Sequence, residues 1–126
     1  MVKEYETKVR KLIGFSSGAK RDSSLGKGAH ELISPIAITR LAKVYERGAT
    51  QKGARNWEKG FPMSRGIQSA IRHIFQFLEG MRDEDHLAQA SWNLFAVMHF
   101  EEGIERGILP KELNDLPNFT KGKKED

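Results

Sequence analysis

Apolar positions recur at helical spacing in three stretches of the chain. Ile38, Leu41, Ala42 and Tyr45 form the first, directly after Ser34-Pro35. A serine accepts the orphan N–H groups of a helix start, and proline suits the first helical position. The spacing predicts a helix opening there and stopped by Gly48. In the second stretch, Ile67, Ala70, Ile71, Ile74, Phe75 and Leu78 line one side; Arg65, Gln68, Arg72, Gln76 and Glu79 line the other. This predicts an amphipathic helix from Ser64 to Leu78, ended by Gly80. In the third, Leu87, Ala90, Ser91, Leu94, Phe95 and Met98 share a face. Asp83 reads as its N-cap, with Glu84 and Asp85 in the first turn, where the helix dipole favours anions. Its end falls near Gly103 or Gly107.

Between these stretches the pattern breaks. Residues 48–63 carry Gly48, Gly53, Gly60 and Pro62 and read as one long connection. Connections of that length in a small domain are often functional. Residues 1–30 are rich in Gly, Ser and charge from Ser16 to Gly28 and read as a flexible arm. Ile108 to Phe119, with Pro110 and Pro117, reads as an irregular strap. No strong alternating strand pattern occurs. The expected class is all-α: a small helical bundle over 31–119, a flexible N-terminal arm over 1–30 and a disordered charged tail over 120–126.

Composition narrows the function classes. The 126 residues fit one domain. There is no cysteine, which excludes disulfides and thiolate chemistry. No apolar run approaches the roughly 18 residues of a membrane span, and the N-terminus lacks a signal-peptide core. A cytoplasmic protein without a membrane partner is expected. The net charge of +4 favours polyanions. Surplus lysines in solvated tails are the plainer account of it.

The turn Gly80-Met81-Arg82 is short enough to make the second and third helices antiparallel neighbours. It brings Glu79 near Asp83, Glu84 and Asp85, with His73 two turns back and His86 close by. Carboxylates suit Mg²⁺ or Mn²⁺, and imidazole moves the preference toward transition metals. His86, Gln89 and Asn93 share a polar stripe. Ordinary capping also explains Asp-Glu-Asp at a helix start. His73 equally suits a core edge, and Asn93 a buried amide. A second group, Arg55-Asn56-Trp57-Glu58-Lys59-Gly60, offers cations for phosphate, an amide and a stacking indole. Alternatively Trp57 anchors the loop while Arg55 and Lys59 stay solvated. On residues alone these alternatives stand open.

At these residues the chain resembles a known family. Leu32-Ile33-Ser34-Pro35, Leu41-Ala42, Gly48-Ala49, Arg55-Asn56-Trp57-Glu58-Lys59-Gly60, Arg72-His73 and Glu84-Asp85-His86-Leu87-Ala88 occur in the order found in the N-terminal domain of phage dATP/dGTP diphosphohydrolases. The resemblance runs from about Gly18 to Glu102. It implies a phage-borne, metal-dependent hydrolase in the host cytoplasm, related in outline to MazG-like pyrophosphohydrolases. Such an enzyme takes purine deoxynucleoside triphosphates to monophosphate and pyrophosphate. By matching positions, Arg55, Asn56 and Trp57 belong to the substrate loop. His73, Glu84, Asp85 and His86 belong to the metal or catalytic cluster.

The expected site therefore has His73, Glu84, Asp85 and His86 as catalytic groups. Glu84, Asp85, His86 and Glu79 are the ligands for Mg²⁺ or Mn²⁺. Arg55, Asn56, Trp57, Lys59, Arg72 and Asn93 contact the nucleotide. Gln51-Lys52-Gly53, Met81 and Gln89 depart from the family pattern, and the last two replace an acid and a histidine. The competing expectation is a non-catalytic phage module. It would bind nucleic acid or a host protein through Lys20, Arg21, Lys27, the Trp57 loop and the lysine tail. A homo-oligomer fits either, because bundles of this size often need a partner to complete the core.

Overall fold

A computed structural model of the chain describes residues 11–120. Three helices carry it: α1 (Pro35–Lys52), α2 (Met63–Leu78) and α3 (His86–Glu105). The expected tail from residue 121 onward, and the first ten residues of the expected arm, lie outside the described residues. The described residues divide into two compact units, one ending at Ser34 and the other beginning at Pro35.

In the first unit, β1 (Leu12–Gly14) and β2 (Lys20–Asp22) pair antiparallel, with Ile13 opposite Arg21. Gly18 closes the turn at φ 97°, a backbone region that glycine enters without steric cost. The apolar pattern did not reveal this hairpin. Each strand is three residues long and exposed throughout, so no alternation of burial is imprinted on it. A 3-10 turn at His30–Leu32 follows.

The second unit holds the helices. α1 starts at Pro35 as expected but runs through Gly48 to Lys52. A glycine inside a helix costs about 1 kcal/mol without forbidding it. The break comes instead at Gly53, where φ reaches 100°. The connection therefore shortens to 53–62 and contains a 3-10 turn, Asn56–Lys59. α2 lacks a cap from Pro62. The strap supplies one: Asp115 accepts from the Ser64 N–H at 2.9 Å and from its hydroxyl at 2.5 Å.

α3 starts later than its acidic run suggests. Its N-cap is Asp85, whose carboxylate accepts from the Ala88 N–H at 3.1 Å, so Asp83 and Glu84 precede the helix. α3 packs against both other helices. Met63, Ala96 and Phe100 form the core, with Trp57, Phe61, Val97, Leu109 and Leu113 around them. α2 and α3 approach closely at Gly66, where an added Cβ would lie 2.7 Å from Val97 Cγ2. Among the described residues no helix is long and apolar enough to cross a membrane.

Candidate functional site

The turn between α2 and α3 brings His73, Glu84 and His86 together. One ligand atom from each lies within 4.8 Å of the others. The Nδ1 atoms of His73 and His86 are 2.9 Å apart, and the rings tilt at 38°. His86 is buried, and its Nε2 sits 2.8 Å from Asp83 Oδ1. Asp83 is exposed, and the hydrogen bond from His86 holds its carboxyl below the usual carboxylate range. An ionised carboxylate can only accept, so Nε2 of His86 carries the donated proton. The other ring nitrogen of His86, Nδ1, is the one that faces His73.

His73 is half-buried. Burial pushes its pKa below the ordinary histidine value, Glu84 pulls it up, His86 and Arg72 push it down again, and Asp83 pulls up. The lowered value favours a neutral imidazole near pH 7.

The other expected ligands are placed elsewhere. Asp85 stands next to Glu84 in sequence, but its carboxylate is forked by Arg40 of α1. Nε donates to Oδ2 at 2.8 Å and Nη2 to Oδ1 at 2.6 Å. Those bonds hold the Asp85 carboxyl below its usual range. Glu79 is the exposed C-cap residue of α2 and is not among the three convergent side chains.

A second feature is a cavity of about 610 Å³ between the C-terminal half of α1, the connection and α3. Tyr45, Trp57, Phe61 and Trp92 wall it, with Asn56, Lys52, Lys59 and Arg55 around them. Arg55 ion-pairs with Glu58 and has φ 62°, unusual outside glycine. Trp57 anchors the loop as well as lining the cavity. Its ring meets His99 edge-on at 4.8 Å and Tyr45 at 5.9 Å. Phe61 stacks near Trp92, with centroids 6.1 Å apart.

Two expected substrate residues do not line this cavity. Asn93 is buried and donates Nδ2 to the Gln89 carbonyl at 2.9 Å, within its own helix. Arg72 is exposed and donates to Ser69 Oγ at 3.2 Å. Tyr45 and Trp92 were missed as cavity walls. Tyr45 reads as one more apolar stripe position, and Trp92 precedes Asn93 without any motif around it. Asp83 was read as a cap rather than as the partner of His86. The i, i+3 spacing of Asp83 and His86 was the signal available for that pairing.

His86 and Trp92 lie six residues apart on α3, about 9 Å of helical rise. The histidine cluster and the aromatic cavity are thus carried on one helix. No curated protein and no solved structure matches the chain. A family model described as dATP/dGTP diphosphohydrolase, N-terminal, matches residues 17–106. That match takes in all three helices, the connection that walls the cavity and the turn that assembles the histidines. The chain belongs to the dATP/dGTP diphosphohydrolase N-terminal family.

Proposed function

We propose that the chain hydrolyses dATP or dGTP to the monophosphate and pyrophosphate, using a divalent cation held by His73, Glu84 and His86. The observation that carries this reading is the convergence of those three side chains within 4.8 Å in a member of this family. The donors fit an ion. Two nitrogens 2.9 Å apart match the roughly 3 Å between neighbouring ligands that each lie about 2.1 Å from one cation. Two imidazoles with one carboxylate favour Mn²⁺ over Mg²⁺, which prefers oxygen alone. When bound, the cation supplies Lewis-acid polarisation and neutralises phosphate charge.

The residues of the chain do the rest. Asp83 orients the His86 ring and sets its tautomer, as carboxylates behind metal-binding histidines do. Glu84 is exposed beside the imidazoles and completes the donor set with its carboxylate. Tyr45, Trp57 and Trp92 offer ring faces and edges to a base. Lys52 and Lys59 face the same space and neutralise phosphate oxygens. The cavity volume falls in the ordinary range for a small-molecule site. The 9 Å of rise between Trp92 and His86 is a span that a triphosphate covers.

The test is to incubate the chain with each deoxynucleoside triphosphate and Mn²⁺ and to measure pyrophosphate. Release from dATP or dGTP is expected. No release from any triphosphate, at enzyme concentrations near those of substrate, overturns the reading.

A further inference from the structure

Gln76 of α2 carries the one buried side-chain oxygen, Oε1, that finds no hydrogen-bond partner among the described residues. Shielded amide oxygens are almost always paired, because an unpaired one loses its hydration and gains nothing in return. The exceptions mark places that a water or an ion fills.

The position of Gln76 says which. At the C-terminal end of α2, His73, Gln76 and Phe77 are half-buried, while Ile74, Phe75, Leu78 and Glu79 are exposed. The three covered residues stand at i, i+3 and i+4, so they form one contiguous side of the helix. α1 packs on α3 rather than on α2, and the strap meets the opposite end of α2, at Ser64. Within the helical unit, what is left to cover Gln76 is the turn 79–85 and the first turn of α3. That turn is folded back on the same stretch of helix. The Met81 N–H donates to the Gln76 carbonyl at 3.0 Å, and Arg82 lies 4.0 Å over the Phe77 ring. It carries Glu84, and the first turn of α3 carries His86. Side chains on a helix lean toward its N-terminus, so Gln76 leans toward the turn of His73, about 5–6 Å away between Cβ atoms. The neighbouring guanidinium groups are committed elsewhere: Arg72 donates to Ser69, and Arg82 to the Met81 and Phe77 carbonyls.

We propose that Gln76 is a fourth ligand of the divalent cation, its Oε1 joining His73, Glu84 and His86. The assignment rests on the cation site proposed above and extends it. Three protein donors leave an octahedral cation half open, and a neutral amide oxygen is a donor that Mn²⁺ accepts. With Gln76 in place, two positions stay free for phosphate oxygens. The cation also gives the orphaned oxygen the partner that the chain does not supply.

Titration calorimetry of the full chain with Mn²⁺ alone, together with melting temperatures with and without Mn²⁺, tests the assignment. Gln76→Leu has a similar volume and no oxygen. It should weaken Mn²⁺ binding by ~10-fold, at the low end of what a lost supporting partner costs. Its metal-free melting temperature should be no lower than wild type, because the unpaired acceptor is gone. Gln76→Glu keeps an oxygen in place and adds a charge. It should bind Mn²⁺ at least as tightly as wild type, and melt lower without it, since a shielded carboxylate then stands near Glu84 with no counter-charge. Glu79→Gln, exposed at the helix end, should match wild type in both measurements. Wild-type affinity in Gln76→Leu overturns the assignment and gives the oxygen to a trapped water. Weak binding in Gln76→Leu with a lower metal-free melting temperature, and no recovery in Gln76→Glu, overturns it too and makes Gln76 a packing residue. A wild-type chain that binds no Mn²⁺ removes the cation site itself, and the role of Gln76 with it.

Discussion

Asp85 of α3 grips Arg40 of α1 across 45 residues of sequence, Oδ2 on Nε at 2.8 Å and Oδ1 on Nη2 at 2.6 Å. The same carboxylate caps α3 through the Ala88 N–H. One side chain therefore ties two helices together and starts one of them. This explains why Asp85 stays apart from the histidines although Glu84 and His86 flank it in sequence.

Removing that carboxylate should lower stability more at neutral pH than in acid. Asp85→Asn keeps a capping oxygen and loses the charged pair; Asp85→Ala loses both, with about 1 kcal/mol from the cap alone. The folded-state pKa of Asp85 is depressed, chiefly by its bond from Arg40. Its contribution is therefore present above the unfolded carboxylate pKa of about 4 and is lost as pH falls through the lower folded value. Urea midpoints measured from pH 7 to pH 3 should show wild type and Asp85→Asn converging at the acid end. Parallel curves would count against the pair.

Gly60 should tolerate no side chain. It lies at φ 97°, and an added Cβ would sit 2.7 Å from Leu113 Cδ1. With ψ at 148°, this positive-φ backbone is open essentially to glycine alone and costs another residue about 1–3 kcal/mol, and overpacking adds to it. Gly60→Ala should destabilise by about 2–3 kcal/mol. It should also loosen the strap, detectable as faster amide exchange around Leu113. Leu113→Ala in the same background should recover part of the loss, because the clash is then removed.

His73 should make the protein acid-sensitive near pH 6. Burial depresses its folded pKa, so the unfolded chain takes up a proton first as pH falls. The stability present above the unfolded value of about 6.5 is lost as pH drops through that value toward the folded one. The melting temperature of wild type should fall between pH 7.5 and pH 5.5. That of His73→Asn should fall less. An identical slope in the two would place the acid sensitivity elsewhere.

The periodicity exposed the three helices because each has a packed side that leaves a repeating mark. It misjudged their ends where two residues offered the same local chemistry. Gly48 and Gly53 both look like stops, and only the left-handed φ at Gly53 separates them. Asp83, Glu84 and Asp85 all suit a cap, and Arg40, 45 residues away, selects Asp85. Pairing of His73 with the Glu84-Asp85-His86 segment was legible from the short turn and from the resemblance. Which carboxylate faced the imidazoles was not, because that depends on one residue of register at the start of α3. Tyr45 and Trp92 were illegible as cavity walls for a related reason: an aromatic on a helix looks the same whether it fills a core or borders a cavity.

That register difference separates the two neighbouring carboxylates in function. If the cation is held by His73, Glu84 and His86, then Glu84→Gln should weaken Mn²⁺ binding by ~100-fold or more, because it removes a ligand. Asp83→Asn should weaken it by about 10-fold, through loss of the partner that orients His86. Asp85→Asn should leave affinity within about threefold, since its oxygens are committed to Arg40 and the helix start. Titration calorimetry with Mn²⁺, run below each variant's melting temperature, reads all three. Pyrophosphate release from dGTP should follow the same order. Equal loss of Mn²⁺ binding in Asp85→Asn and Glu84→Gln, with both proteins folded, would move the cation away from the histidine pair and toward the Arg40 side of α3.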